Sequence, residues 1–256
     1  MVPELGDPAR VVRVVFGCAP GDVAERVVVT PFIPLGAFRR HVAGPVTELS
    51  PRFFYRGFSA IFEGVPVTVI LAGVGPSRVG DCLGFLSLTP ARTVLFVGAV
   101  GGIAPDLGIG DWFVPRETAD GEGYARYVRE GFGAVVGSAP VVPVPEGPRA
   151  GLLGFLRRRG LRVHEGRVYT IGSITFESPR NLGALARAGY RAIEMELSAF
   201  FAAGSRHGLE AAALTYVSDL PLRSSLWDEK TPDEETRLRE AYRAAPRLAL
   251  EWIAQR

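Results

Sequence analysis

Two glutamates one residue apart carry the most distinctive chemistry in this sequence. Glu194 and Glu196 flank Met195 between two apolar stretches, a pattern typical of a buried strand that runs into a helix. Their side chains lie on one side of the chain only if the backbone is extended there. A carboxylate in apolar surroundings needs hydrogen bonds, and the two hydroxyls of a sugar diol are suitable donors. Alternatively, both glutamates cap the first turn of the helix.

The elements that would position this pair alternate between strands and helices. β-branched and apolar runs predict strands at residues 11–17, 26–30, 59–62, 67–71, 93–98, 111–114, 162–171, 190–195 and 211–217. The Gly-rich segment 98–102 is expected to end one strand, and residues 115–140 to form a surface excursion. Capping signals predict helices that begin at Ser77, Pro145, Ser178 and Thr231, and another is expected to end near Gly208. The alternation indicates one α/β domain over residues 1–256.

Four distinctive segments fall at the ends of these strands. They are residues 98–102, 173–177, 194–196 and 218–219. Ligands of α/β sheets bind beyond the carboxyl ends of the strands, so the four segments are expected to meet at one site.

The composition excludes several classes of function. The chain has 256 residues, a net charge of +2 and no basic run longer than Arg157–Arg159, so no nucleic-acid surface is expected. The two cysteines and three histidines lack the spacing of a metal site. No apolar run is long enough to span a membrane, and the first seven residues do not resemble a secretory signal, so a cytoplasmic protein is expected. Asn181 and Gln255 are the only side-chain amides, a depletion that predicts a thermophilic source.

The ordered set of segments resembles the nucleoside phosphorylase and nucleosidase superfamily from about residue 26 to the C-terminus. Residues 97–105 and 107–111 resemble its Gly-rich turn and the following Gly-Asp strand start, and residues 193–196 its ribose-binding Glu-Met-Glu signature. Residues 216–219 resemble the strand end that bears its catalytic aspartate. The resemblance implies a three-layer α/β/α fold with a mixed central sheet and a homo-oligomer of two, three or six subunits. Residues 217–222 look closest to AMP nucleosidases.

The resemblance also implies roles for individual residues. Asp219 would be the general acid at purine N7, and Glu196 would accept the 2′ and 3′ hydroxyls of ribose. Phe176 would stack on the base, Met195 would pack under the ribose, and Arg223 would brace Asp219 or meet a phosphate. The remaining expected substrate contacts are Ala99, Val100, Gly101, Glu194 and Ser218. From the residues alone, Ser218-Asp219 is also compatible with a turn, Met195 and Phe176 with core packing, and Arg223 with a solvated loop.

The chain departs from the phosphorolytic members of this superfamily at the phosphate site. Their Gly-Asp-Pro-x-Arg turn aligns with residues 32–36, and their Arg and Ser align with Phe96 and Ala99. An apolar side chain cannot neutralise a phosphate dianion. Residues 6–10 do spell that turn, but they precede the first aligned strand, so we interpret the match as a coincidental turn.

Three functions therefore remain open. The first is a purine nucleosidase of the AMP nucleosidase type, which needs no cofactor, although no carboxylate follows the first aligned strand, where methylthioadenosine-type nucleosidases carry one. The second is a purine nucleoside or uridine phosphorylase with inorganic phosphate as co-substrate, held by arginines such as Arg39, Arg40 or Arg78. The third is a catalytically silent nucleoside-binding module.

Overall fold

The computed structural model describes residues 6–50 and 54–256. The first five residues, on which the expectation about a secretory signal largely rests, lie outside the described part. The strands are β1 (Arg26–Thr30), β2 (Ala43–Leu49), β3 (Arg56–Phe62), β4 (Val65–Leu71), β5 (Thr93–Gly102), β6 (Trp112–Gly121), β7 (Val141–Pro143), β8 (Val163–Ile171), β9 (Ala192–Glu194) and β10 (Glu210–Asp219). The helices are α1 (Pro8–Phe16), α2 (Leu35–Arg39), α3 (Pro76–Leu86), α4 (Tyr124–Glu130), α5 (Phe132–Ser138), α6 (Glu146–Arg158), α7 (Pro179–Arg187), α8 (Leu197–Arg206) and α9 (Pro232–Ala254).

One mixed sheet runs through the described residues, and part of it closes on itself. The pairs β5–β10, β10–β6, β6–β8, β8–β9 and β9–β5 form a ring, from which β1, β4, β3 and β2 extend in that order. Helices cover both faces. Alternate residues of β1 face opposite sides, so Val27 and Val29 pack with α1, α3 and α8, whereas Val28 packs with α2, α6 and α9. This architecture confirms the expected three-layer α/β/α fold with a mixed sheet.

The predicted strand at residues 11–17 is wrong, because these residues belong to α1. The Asp7 side chain accepts a hydrogen bond from the Ala9 amide, and Pro8 occupies the first helical position. Val12, Val15 and Phe16 are buried with the i, i+3, i+4 spacing of a helix face. Residues 6–10 therefore start a helix.

Two further local predictions are corrected. Ser77 is not the cap of α3, since Gly75 occupies that position and Ser77 lies inside the helix. The Gly-rich segment 98–102 does not end its strand, because β5 continues beside β10 as far as Gly101 and beside β9 at Gly102. A Cβ atom on Gly101 or Gly102 would lie 2.9 Å from the side chain of Pro221 or Leu220, so close packing accounts for these two glycines.

Residues 115–140 also differ from the expected surface excursion. They contain most of β6 and helices α4 and α5, and Tyr127, Phe132 and Val135 are buried in a small core cluster. No described helix is both long and apolar enough to cross a membrane.

Candidate active site

A cavity of about 670 Å³ opens beyond the carboxyl ends of β1, β4, β5, β8, β9 and β10. Most of the candidate residues line it. They are Ala99, Gly101, Glu194, Met195, Glu196, Ser218 and Asp219. Residues that sequence reasoning did not assign to the site complete the lining: Phe32, Val74, Ile174, Glu177, Ile193, Tyr216, Leu226, Lys230, Glu235, Leu238, Arg239 and Tyr242. The predicted convergence of strand ends is thus found in the structure.

The sequence left open whether the two glutamates cap a helix or bind a ligand, and in the structure Glu194 and Glu196 differ in this respect. Glu194 accepts hydrogen bonds from the Thr170 hydroxyl and from the amides of Glu196 and Leu197, at the start of α8. Its carboxylate therefore caps the helix, and its hydrogen-bonding capacity is largely used. The Glu196 side chain makes no capping bond; its Oε1 accepts the Gly75 amide at 2.7 Å. Its second oxygen has no partner among the described residues, so it is available to a ligand.

The backbone at Gly75 is what brings an amide to Glu196. Gly75 has a φ of 112°, a conformation that residues with a Cβ rarely adopt.

Burial raises the pKa of Glu196 to about 7, while the hydrogen bond from the Gly75 amide opposes that rise. Burial, and then the charge of Glu196, raise the pKa of Glu194 as well. A positive charge that develops in the cavity would favour the ionised form of this pair.

Asp219 lies at a local irregularity of β10. Val217 pairs with Val100 and Asp219 with Gly101, so Ser218 is an extra residue that bulges from the ladder. The Ser218 hydroxyl donates to Asp219 Oδ1 at 2.7 Å, and only 3% of Asp219 is exposed. Burial raises the pKa of Asp219, against the opposing effects of Ser218 and the Lys230 charge. A carboxyl group that tends to keep its proton can serve as an acid.

Glu177 is a site residue that sequence reasoning missed, although residues 173–177 were expected at the site. Its carboxyl group lines the cavity, and it accepts no hydrogen bond from the described residues. Burial and then the charge of Asp219, which lines the same cavity, raise the pKa of Glu177 to about 7.

Phe176, predicted to stack on the base, lies outside the cavity lining. Its ring packs against Tyr127 with 4.7 Å between ring centroids and against Tyr124 at 5.5 Å. Its carbonyl accepts a hydrogen bond from the Asn181 amide at 2.8 Å. These contacts anchor the turn that directs Glu177 into the cavity.

Val100 and Arg223 also lie outside the lining. Val100 is buried in the core beside α3 and α8. The Arg223 guanidinium donates to the carbonyls of Ala104, Pro105 and Leu107, so it fastens the segment after β5 and does not brace Asp219 as predicted.

The cations near the cavity are not those expected for a phosphate site. Arg39 pairs with Glu48, and Arg78 donates to the carbonyls of Ala72 and Phe54. Arg40 is likewise outside the lining, and Phe96 is buried against Phe200. Lys230 and Arg239 are the cations that line the cavity. Within the described ranges, no three His, Cys, Asp or Glu side chains are arranged to hold a metal ion.

A family model and several individual proteins are similar to this chain. A family model described as the phosphorylase superfamily matches residues 27–251. A DeoD-type purine nucleoside phosphorylase from Geobacillus kaustophilus is 26% identical over 230 residues, which are 87% of this chain and 91% of that protein. A uridine phosphorylase from Thermococcus kodakarensis is 30% identical over 122 residues, which span 47% of this chain and 44% of that protein.

Two solved structures share the fold. Uridine phosphorylase from Vibrio fischeri superposes with a TM-score of 0.76 at 21% identity, covering 91% of this chain and 93% of that one. The 5′-methylthioadenosine/S-adenosyl homocysteine nucleosidase of Campylobacter jejuni gives 0.74 at 13% identity, covering 91% and 100%. The fold is therefore shared by a phosphorylase and a hydrolase.

Proposed function

Since the chain belongs to the phosphorylase superfamily, whose relatives named above act on nucleosides, we propose that it cleaves the N-glycosidic bond of a purine nucleoside with water as the acceptor. The observation that carries this proposal is that Glu196 and Asp219, from distant parts of the chain, line one cavity and both have raised pKa values. The two carboxyl groups would act on opposite ends of the substrate.

At the base end, Asp219 acts as the acid. Departure of a purine leaves electrons on the ring, and protonation at N7 makes the base a better leaving group. A buried Asp219 that holds its proton donates it to N7, and the Ser218 hydroxyl at 2.7 Å stabilises the carboxylate that remains.

At the sugar end, Glu196 acts as an anion. The ribose gains oxocarbenium-like positive charge as the bond breaks. The free oxygen of Glu196 accepts from the ribose hydroxyls, and its negative charge stabilises the cation. Glu194 orients Glu196 by accepting its backbone amide. Met195, between them, lies against the sugar.

Water is favoured over phosphate because the cavity end near β1 and β5 is apolar. Phe32 and Ala99 line it, and Phe96 is packed into the core. A phosphate dianion at that position would meet these apolar side chains in place of the Arg and Ser of the phosphorolytic members.

Phosphorolysis is the second candidate, because the sequence relatives named above are phosphorylases and because Lys230 and Arg239 line the cavity.

We also propose that a second copy of the chain covers the cavity mouth. Its rim carries exposed apolar side chains, with Phe32 at 41%, Val74 at 54% and Leu226 at 50% exposure.

The deciding experiment incubates the protein with adenosine, inosine, AMP or uridine in phosphate-free buffer, and again with added phosphate. Chromatography follows the free base and distinguishes ribose from ribose 1-phosphate. We expect free base and ribose without phosphate. Strict dependence on phosphate would replace hydrolysis by phosphorolysis, and tight binding without turnover would identify a silent binding module.

A further inference from the structure

Glu177 places a second carboxyl group at the base end of the cavity, and the reaction described above does not use it. Its side chain lines the cavity beside Asp219, and no side-chain hydrogen bond from the described residues reaches its oxygens. Phe176, held between Tyr124, Tyr127 and Asn181, fixes the turn from which Glu177 projects. The half-buried carboxyl group is therefore positioned at the cavity without a partner among the described residues, where a ligand can bind it.

A protonated Asp219 and an ionised Glu177 in one cavity present one donor and one acceptor. Asp219 supplies the donor to N7. Glu177 then supplies an acceptor for whatever adjoins N7 on the purine, which is the substituent at C6. An adenine offers the N6 amino donor there, whereas a hypoxanthine or guanine offers a second acceptor, O6.

We infer that Glu177 selects 6-aminopurines over 6-oxopurines by accepting a hydrogen bond from the exocyclic amino group. This inference rests on the proposed function, because it places the base beside Asp219. A 6-oxopurine would bring its carbonyl oxygen against the Glu177 carboxylate, so both groups would lack a donor. Lys230 and Arg239 line the same cavity, but neither makes a described hydrogen bond to Glu177, and Lys230 donates to the Ser225 carbonyl.

The experiment compares wild type with Glu177→Gln at pH 8. A glutamine amide can either donate to O6 or accept from N6, so it discriminates weakly between the two classes. The readouts are kcat/KM for adenosine and inosine, and calorimetric binding of adenine and hypoxanthine. Glu240→Gln is the matched control, because Glu240 is an exposed glutamate of α9 outside the cavity lining.

We expect wild type to favour adenosine over inosine, and adenine over hypoxanthine, by about tenfold or more, the value of a hydrogen bond to a charged group. Glu177→Gln should lower both ratios by about tenfold or more, mainly through a gain for the 6-oxo compounds. Glu240→Gln should keep the wild-type ratios.

The two readouts separate failure of the inference from failure of the proposed function. Turnover of nucleosides with unchanged ratios in Glu177→Gln would overturn the inference and leave the function intact. Preferential adenine binding that is lost in Glu177→Gln, without turnover of any nucleoside by wild type, would support the inference and overturn the proposed function.

Discussion

The two ends of the cavity each hold a pair of carboxyl groups, and the pairs differ in their hydrogen-bond donors. At the sugar end, Glu194 and Glu196 accept backbone amides from Glu196, Leu197 and Gly75. At the base end, Asp219 accepts only the Ser218 hydroxyl among the described contacts, and Glu177 accepts none. Burial raises the pKa of the carboxyl groups at both ends, but at the sugar end the amide donors favour the carboxylate and oppose that rise. The sugar end is therefore suited to an anion that meets a cation, and the base end to proton donation.

The largest effect is expected from Asp219→Asn, which removes the acid at the base end. The asparagine can still accept the Ser218 hydrogen bond, so the site should keep its shape. We expect kcat to fall by about 10²- to 10⁴-fold, the usual contribution of general acid catalysis, while KM changes little. Steady-state kinetics and riboside binding by calorimetry measure this. Wild-type kcat in Asp219→Asn would assign the proton donor to another group, and the contrast between the two ends would fail.

Removal of Glu194 is expected to affect stability more than chemistry. In Glu194→Ala, the buried amides of Glu196 and Leu197 and the Thr170 hydroxyl lose their acceptor. The free energy of unfolding should fall by about 3 kcal/mol or more, because each of the three unsatisfied buried donors costs about 1–3 kcal/mol. Glu194→Gln should retain most of the stability, since one amide oxygen can accept both backbone amides. Denaturant unfolding measures the difference.

Replacement of Glu196 by alanine tests the same difference between the two glutamates at the sugar end. Glu196→Ala removes one acceptor, that of the Gly75 amide, so the loss in unfolding free energy should stay near about 1 kcal/mol. Riboside binding should weaken while binding of the free base does not. Equal stability losses at Glu194 and Glu196 would show that the two carboxylates do not divide the structural and ligand-binding roles.

Sequence reasoning located the two ends of the cavity but not every group within them. Asp219 and Glu196 lie at the expected strand ends, because the apolar runs that precede them predict the strands correctly. Phe176 was expected to line the cavity and Glu177 was given no role, but Phe176 packs against Tyr127 of α4 and Glu177 lines the cavity instead. Residues 115–140 have no helical pattern, so the sequence did not predict that Tyr127 would pack against Phe176 outside the cavity.

Arg223 and α1 show the same limit in other forms. The acceptors of Arg223 are backbone carbonyls of residues 104–107. Every residue has a backbone carbonyl, so the sequence does not indicate which ones Arg223 contacts. Residues 11–17 have the β-branched composition of a strand, but the Asp7 side chain, which accepts a hydrogen bond from the Ala9 amide, caps a helix there. A single domain, a thermophilic source and a cytoplasmic location stay predictions.

The smallest expected effect is the part of the pH dependence of stability that comes from Glu177. Folding raises the pKa of Glu177 from 4.5 to about 7. A carboxyl group with a raised pKa contributes its full stabilisation below pH 4.5 and loses that contribution as the pH rises through about 7. Glu177→Gln has no proton to lose, so its melting temperature relative to wild type should increase between pH 4.5 and pH 8. Scanning calorimetry at both pH values, with Glu240→Gln as the control, measures this difference. If the difference between Glu177→Gln and wild type were the same at both pH values, Glu177 would not be desolvated beside Asp219, and the acidic character of the base end would rest on Asp219 alone.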